Sequence, residues 1–171
     1  LLVRVGVNLQ PGQKLMVRAN VDDAPLVRKV VDVAYSIGSP YVEVFWSDGP
    51  SSRSRFLKAP AGSFEVIPEY RAQGMIQLAE EGAASLAITS EDPDLMAGVD
   101  PTNLATFQAA WRKAVRPYMN LSMADKIAWC VAGAASPGWA TKAFPGLPEA
   151  EAVEALWQAI FTATRVTTAD P

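Results

Sequence analysis

"LMVRANVDDAPLVRKVVDVAYSIGSPYVEVFWSD", residues 15 to 48, decides the fold. Leu15, Val17 and Ala19 alternate with Met16 and Arg18 at the period of two that defines an extended strand, and the strand ends at Asn20. Asp22 or Asp23 can cap the next segment, in which Leu26, Val30, Val33, Ala34 and Ile37 recur at helical spacing until Gly38 stops it. "PYVEVFWSD" is then a second strand, rich in β-branched and aromatic residues. The order strand, helix, strand predicts a βαβ unit with parallel strands and a right-handed crossover. Upstream, Pro11 and Gly12 punctuate "NLQPGQ" as a turn into the first strand.

The same alternation continues downstream. Residues 49 to 64, "GPSSRSRFLKAPAGSF", are polar and punctuated, with one helical turn expected around Arg53 to Lys58. Glu65 to Gly82 reads as a helix with Ile67, Tyr70, Met75, Leu78 and Ala79 on its inner face. "AASLAITSEDPDL" gives a third strand and a turn at Asp92 and Pro93, and residues 101 to 119 a long helix opened by Asp100 and Pro101. "DKIAWCVAG" is the fourth strand, and "PEAEAVEALWQAIFTATR" a last helix with Ala152, Leu156, Ile160 and Ala163 along one stripe. The expected fold class is α/β: one three-layer domain over residues 1 to 171, with a mainly parallel central sheet of about four strands and flanking helices. A chain of 171 residues can bury one ordinary core.

Composition closes off several classes of function. Fifteen basic against eighteen acidic residues give no positive field, and no nucleic acid partner is expected. The longest apolar runs, such as "VVDVAYSIG" and "IAWCVAGAA", fall far short of the roughly 20 residues that cross a bilayer, so no membrane partner is expected, and a lone cysteine fits a reducing compartment, which makes a cytoplasmic location the default. The single cysteine, Cys130, permits no internal disulfide and lies between Trp129 and Val131, where a buried structural thiol is the expectation over a nucleophile. There is no histidine. Ser-His-Asp and Cys-His arrangements and histidine-containing zinc sites are therefore impossible within the chain.

The remaining motifs carry little. "SEDPD", Ser90 to Asp94, could hold a magnesium or calcium ion but fits no calcium loop, and reads better as a solvated turn. Lys14 follows two glycines at the wrong spacing for a phosphate loop, and Asp22 and Asp23 stand where a dinucleotide's phosphates would sit. Arg53, Arg55 and Lys58 could present a basic face to a substrate carboxylate, or form the solvated side of a short helix. "SPGWATKAFPGLP", residues 136 to 148, is either a packed connection built on Trp139 and Phe144 or a lining of the cleft at the strand ends. Pro148 is expected in the first turn of the last helix.

Three stretches, "GVNLQPGQKLMVRANVDDAPLVRKVVDVAYSIGSPYVEVFWSD", "EEGAASLAITSEDPDLMAGVDP" and "PGWATKAFPGLPEAEAVEALWQAIFTATRV", together resemble the amino-terminal half of the thermophilic metalloaminopeptidases of the aminopeptidase T and aminopeptidase S group. The resemblance covers nearly the whole chain. It implies a parent that hydrolyses amino-terminal residues from peptides with two divalent metal ions (zinc, cobalt or manganese), held by glutamate, histidine, tyrosine and aspartate side chains of a carboxy-terminal half. No catalytic, cofactor-binding or metal residue is carried over to this sequence. It further implies that the chain is a non-catalytic amino-terminal domain, inactive alone, whose partners are the missing carboxy-terminal domain and, in a homodimer, a second subunit. The start at "LLVRVGVNLQ", without a methionine, and the stop at "TRVTTADP" read the same way. An exposed domain-facing surface is then expected at Leu1, Leu2, Trp139 and Phe144. The alternative is a stand-alone α/β module that binds a small molecule or protein and has no enzymatic activity.

Overall fold

A computed structural model describes residues 1–166. Four strands, β1 (Leu15–Asn20), β2 (Val42–Ser47), β3 (Ala84–Thr89) and β4 (Trp129–Gly133), form one sheet in the order β2-β1-β3-β4. All three pairings are parallel, with Val17 beside Val44 of β2 and Leu86 of β3. The helices are α1 (Ala24–Ile37), α2 (Gly49–Lys58), α3 (Glu69–Glu80), α4 (Pro101–Ala114), α5 (Arg116–Met123), α6 (Pro137–Ala143) and α7 (Glu149–Ala163). The expected α/β class and four-stranded parallel sheet are present.

The alternation along β1 sorts the core into two layers. Leu15, Val17 and Ala19 join Leu86 and Ile88 against Val27, Val30 and Ala34 of α1, with Val3 and Val7 from the amino-terminal turn. Met16 faces the other way, into Met75 and Ile76 of α3 and Tyr118 of α5. Burial of a side chain such as Met75 contributes about 1.5–3 kcal/mol. Gly38 ends α1 in the left-handed conformation at φ 99°, which places its N–H on the Ala34 and Tyr35 carbonyls. A third cluster lies beside the strand ends, where Phe56 of α2 stacks on Phe64 and meets Phe107 of α4 edge-on, each at 5.5 Å.

Several elements depart from the sequence reading. The polar segment after β2 holds a ten-residue helix, because Asp48 accepts the Ser51 N–H at 3.0 Å and Pro50 stands in the first turn. Helix α3 starts only at Glu69, after Pro68, and Tyr70 points outward with 78% of its surface exposed, while Ala72 and Ile76 join Met75 and Ala79 inside. The helix expected over 101 to 119 is two helices joined at Val115, since Pro117 has no N–H to continue the first ladder and its ring crowds the preceding turn. Strand β4 is shorter than "DKIAWCVAG" and lies at the sheet edge, so Trp129 and Val131 face outward on one side.

At the ends, Leu2–Gly6 forms a π-helical turn, and Pro148 caps α7 from outside its first turn. Ala163 is exposed, unlike Ala152 and Leu156. Of the four side chains expected on an open surface, only Leu1 is exposed; Leu2, Trp139 and Phe144 are half-buried. Trp139 and Phe144 pack against Ala140, Ala152 and Leu156. The closing "TTADP" lies outside the described residues. No described helix is long and apolar enough to cross a membrane.

Candidate functional site

In an open parallel sheet the crevice forms beyond the carboxyl ends of the strands, at the point where the connections depart to opposite sides. The order β2-β1-β3-β4 puts that point between β1 and β3. Asn20, the last residue of β1, is its hub. Its amide nitrogen donates to Ser90 Oγ at 3.3 Å, beyond the end of β3, and its Oδ1 accepts from Ser47 Oγ at 2.8 Å, at the end of β2. Ser90 donates in turn to Asp23 Oδ2 at 2.7 Å, and the same oxygen accepts the Asn20 backbone N–H at 3.2 Å. Asp23 and Ser90 are both buried. A buried carboxylate is tolerated here because hydrogen-bond donors from two chain segments replace its water.

Two cavities flank this network. One, of about 240 Å³, runs from Asn20 and Ser47 past Arg55 to Phe56 and Phe107. The other, also about 240 Å³, is enclosed by Asp22, Pro50, Ser90, Asp92, Pro137 and Gly138. The connection after β4 therefore has both roles considered for it. Its amino end, Ser136 to Gly138, lines the crevice, while Trp139 and Phe144 pack behind. The approach is close at Gly138, where a Cβ would stand 2.5 Å from Asp92 Cβ. Ser136 caps α6 by accepting the Trp139 N–H at 3.3 Å.

The charged residues singled out in the sequence hold structure at this rim. Arg55 donates to the Ser63 and Val66 carbonyls at 2.9 and 3.1 Å and lies over the Phe107 ring at 5.2 Å. Arg53 donates to the Ala97 carbonyl at 2.8 Å. Neither the solvated helix side nor the free basic face describes these two arginines: they fasten α2 to the segments around it. Within Ser90 to Asp94, Asp92 accepts the Asp94 N–H at 2.9 Å, as a turn requires, and Asp94 pairs with Lys142 at 2.5 Å. That hydrogen bond holds the Lys142 ammonium pKa above its ordinary value. Among the described residues no group of three or more Cys, Asp or Glu is placed to hold a metal ion, and with no histidine in the chain the donor set does not fit a two-metal centre.

Cys130 is half-buried, and its flanking Trp129 and Val131 are themselves exposed, so its shelter comes from the opposite side of β4. A Cβ on Gly6 would meet its Sγ at 2.9 Å. Burial pushes the thiol pKa up, which keeps it protonated and weakly nucleophilic. A larger concavity, about 530 Å³, lies away from the strand ends, along the outer edge of β2 and α3. Its polar groups are already engaged with one another: Lys14 with Glu81 at 2.6 Å, Tyr41 with Glu43 at 2.5 Å, and Arg71 with the Trp46 carbonyl. The strand-end crevice is thus the better candidate site. Asn20 and Ser47 were not singled out as a site by sequence, because their only signal is position at the strand ends, and Ser90 entered only as the start of the "SEDPD" turn.

The thermophilic metalloprotease (M29) family matches residues 1–171, and the chain belongs to that family. It is 44% identical over 171 residues to aminopeptidase AmpS of Bacillus subtilis (strain 168), covering all of this chain and 42% of the relative. It is 37% identical over 171 residues to aminopeptidase T of Thermus aquaticus, again covering 42% of that protein. The solved structure of wild-type AmpT from Thermus thermophilus superposes with a TM-score of 0.89 at 35% identity, covering 94% of this chain and 41% of that one. The chain spans less than half the length of these relatives.

Proposed function

We propose that this chain is the amino-terminal, non-catalytic domain of a metal-dependent aminopeptidase that removes amino-terminal residues from peptides. The observation that carries the reading is the family match along all 171 residues combined with coverage of only about two-fifths of each relative. The composition supports the same reading, since a chain without histidine offers no histidine ligand to a metal centre. Two divalent ions, bound by residues of a carboxy-terminal half, would polarise the scissile carbonyl and provide the nucleophile in the parent. The role of this domain is to shape the substrate cavity and to form contacts with that half or with a second subunit of a homodimer. Its strand-end crevice, rimmed by Asn20, Ser90 and Gly138, is the surface suited to the substrate entrance.

The test is an assay of the 171-residue chain with amino-acid p-nitroanilides and added zinc, cobalt or manganese. No turnover is expected. Metal-dependent release of p-nitroaniline by pure chain, abolished by chelator, would refute the division of labour.

A further inference from the structure

We propose that Arg18 anchors a binding pocket for a free α-amino acid on the α3/α5 face of the sheet. Arg18 is the fourth residue of β1, between Phe45 of β2 and Ala87 of β3. Its guanidinium carbon lies 5.6 Å from the centre of the Tyr118 ring, and its Nε is buried without a hydrogen-bond partner. Arg18 as a whole is half-buried, and the part of its guanidinium that reaches open space has no protein acceptor among the described residues. Neither of the two ion pairs among the described residues involves Arg18. In front of it opens a cavity of about 220 Å³, walled by Phe45, Met75 and Trp111 and shared by Arg71 and Glu91.

The distribution of charge identifies the ligand. Two guanidinium groups and one exposed carboxylate line a single cavity, and among the described residues no carboxylate lies within ion-pair distance of either arginine, Arg71 donating to the Trp46 carbonyl. Space separates charges that would otherwise pair. A zwitterion fills that space, with its carboxylate taken by the Arg18 fork, its ammonium directed to Glu91, and an apolar side chain laid against Phe45, Met75 and Trp111. The cavity is smaller than the roughly 300–1,000 Å³ of drug-sized sites, as suits a ligand of amino-acid size. Nothing in this pocket depends on the peptidase reading, since a chain with no catalytic half would hold the same ligand.

Titration of the chain with L-leucine, followed by amide NMR, tests the assignment. Saturable shifts at residues of β1, α3 and α5 are expected by about 10 mM. Arg18→Met should weaken binding by about tenfold to a hundredfold, the loss expected for a hydrogen bond to a charged group. Arg18→Lys, which keeps the charge and lacks the fork, should fall between, and it decides the matter if the methionine variant does not fold. Glu91→Gln should abolish the preference for leucine over 4-methylpentanoate, which has no ammonium. The proposal is overturned if leucine gives no saturable shift, if Arg18→Lys binds as the unaltered chain does, or if 4-methylpentanoate binds the unaltered chain as tightly as leucine.

Discussion

Replacement of Asp23 by alanine probes the crevice where its hydrogen bonds converge. The side chain accepts from Ser90 Oγ at 2.7 Å and from the Asn20 N–H at 3.2 Å, and it is 6% exposed. Truncation leaves the buried Ser90 hydroxyl and the half-buried Asn20 N–H without this acceptor. Hydrogen bonds to a charged group contribute about 1.5–3 kcal/mol each, so Asp23→Ala, which removes two of them, should cost about 3 kcal/mol. For a chain of this size that lowers Tm by about 6–12 °C. Urea unfolding followed by circular dichroism should show a reduced midpoint with an unchanged slope, the signature of altered stability at constant exposed surface. Asp22→Ala is the control, because Asp22 is exposed and should change stability by no more than about 0.5 kcal/mol. If the two variants unfold at the same urea concentration, the Asp23 network does not hold the strand ends together.

Other consequences follow from single contacts. Tyr118→Phe removes the partner of Ser85 Oγ, 2.9 Å away in the core, and should cost about 1–3 kcal/mol; adding Ser85→Ala should recover much of that, measured as a double-mutant cycle. Cys130 should react with iodoacetamide more slowly in the native chain than in urea, at about pH 8. Its folded pKa is raised, so the stability it contributes is complete below the unfolded thiol pKa and is lost as pH rises through the folded value. Glu81 has its pKa lowered by the hydrogen bond from Lys14 and then by that from Gln77. Lys14→Met should raise it toward the ordinary carboxylate value in an NMR titration, with little change in stability because the pair is exposed.

The parallel sheet was legible because its evidence is local. The period-two run of β1 and the periodic α1, stopped at Gly38, each contain their own signal, and β3, buried on both faces, reads as an apolar run. Position within the sheet was not legible in the same way. "IAWCVAG" reads as buried, yet β4 has a neighbour on one side only, and nothing within those residues reports whether another strand or helix covers them. The site was harder still. Asn20, Ser47 and Ser90 are ordinary turn residues until the strand order brings together positions separated by 27 and 70 residues.

Arg18 shows the same limit from the opposite side. Alternation assigns its face of the sheet correctly, but its meaning depends on what that face meets, and the answer comes from distant elements: Arg71 on α3, Glu91 after β3, and Trp111 and Tyr118 on α4 and α5. A strand residue's orientation is set by its immediate neighbours, whereas the compensation of its charge is a property of the assembled fold. Arg18 matches its neighbours in orientation and, among the described residues, meets the Tyr118 ring but no carboxylate. That mismatch between local and tertiary order directs attention to a ligand, because a charged group that opens on a cavity without a protein acceptor leaves its hydrogen bonds to a molecule from solution.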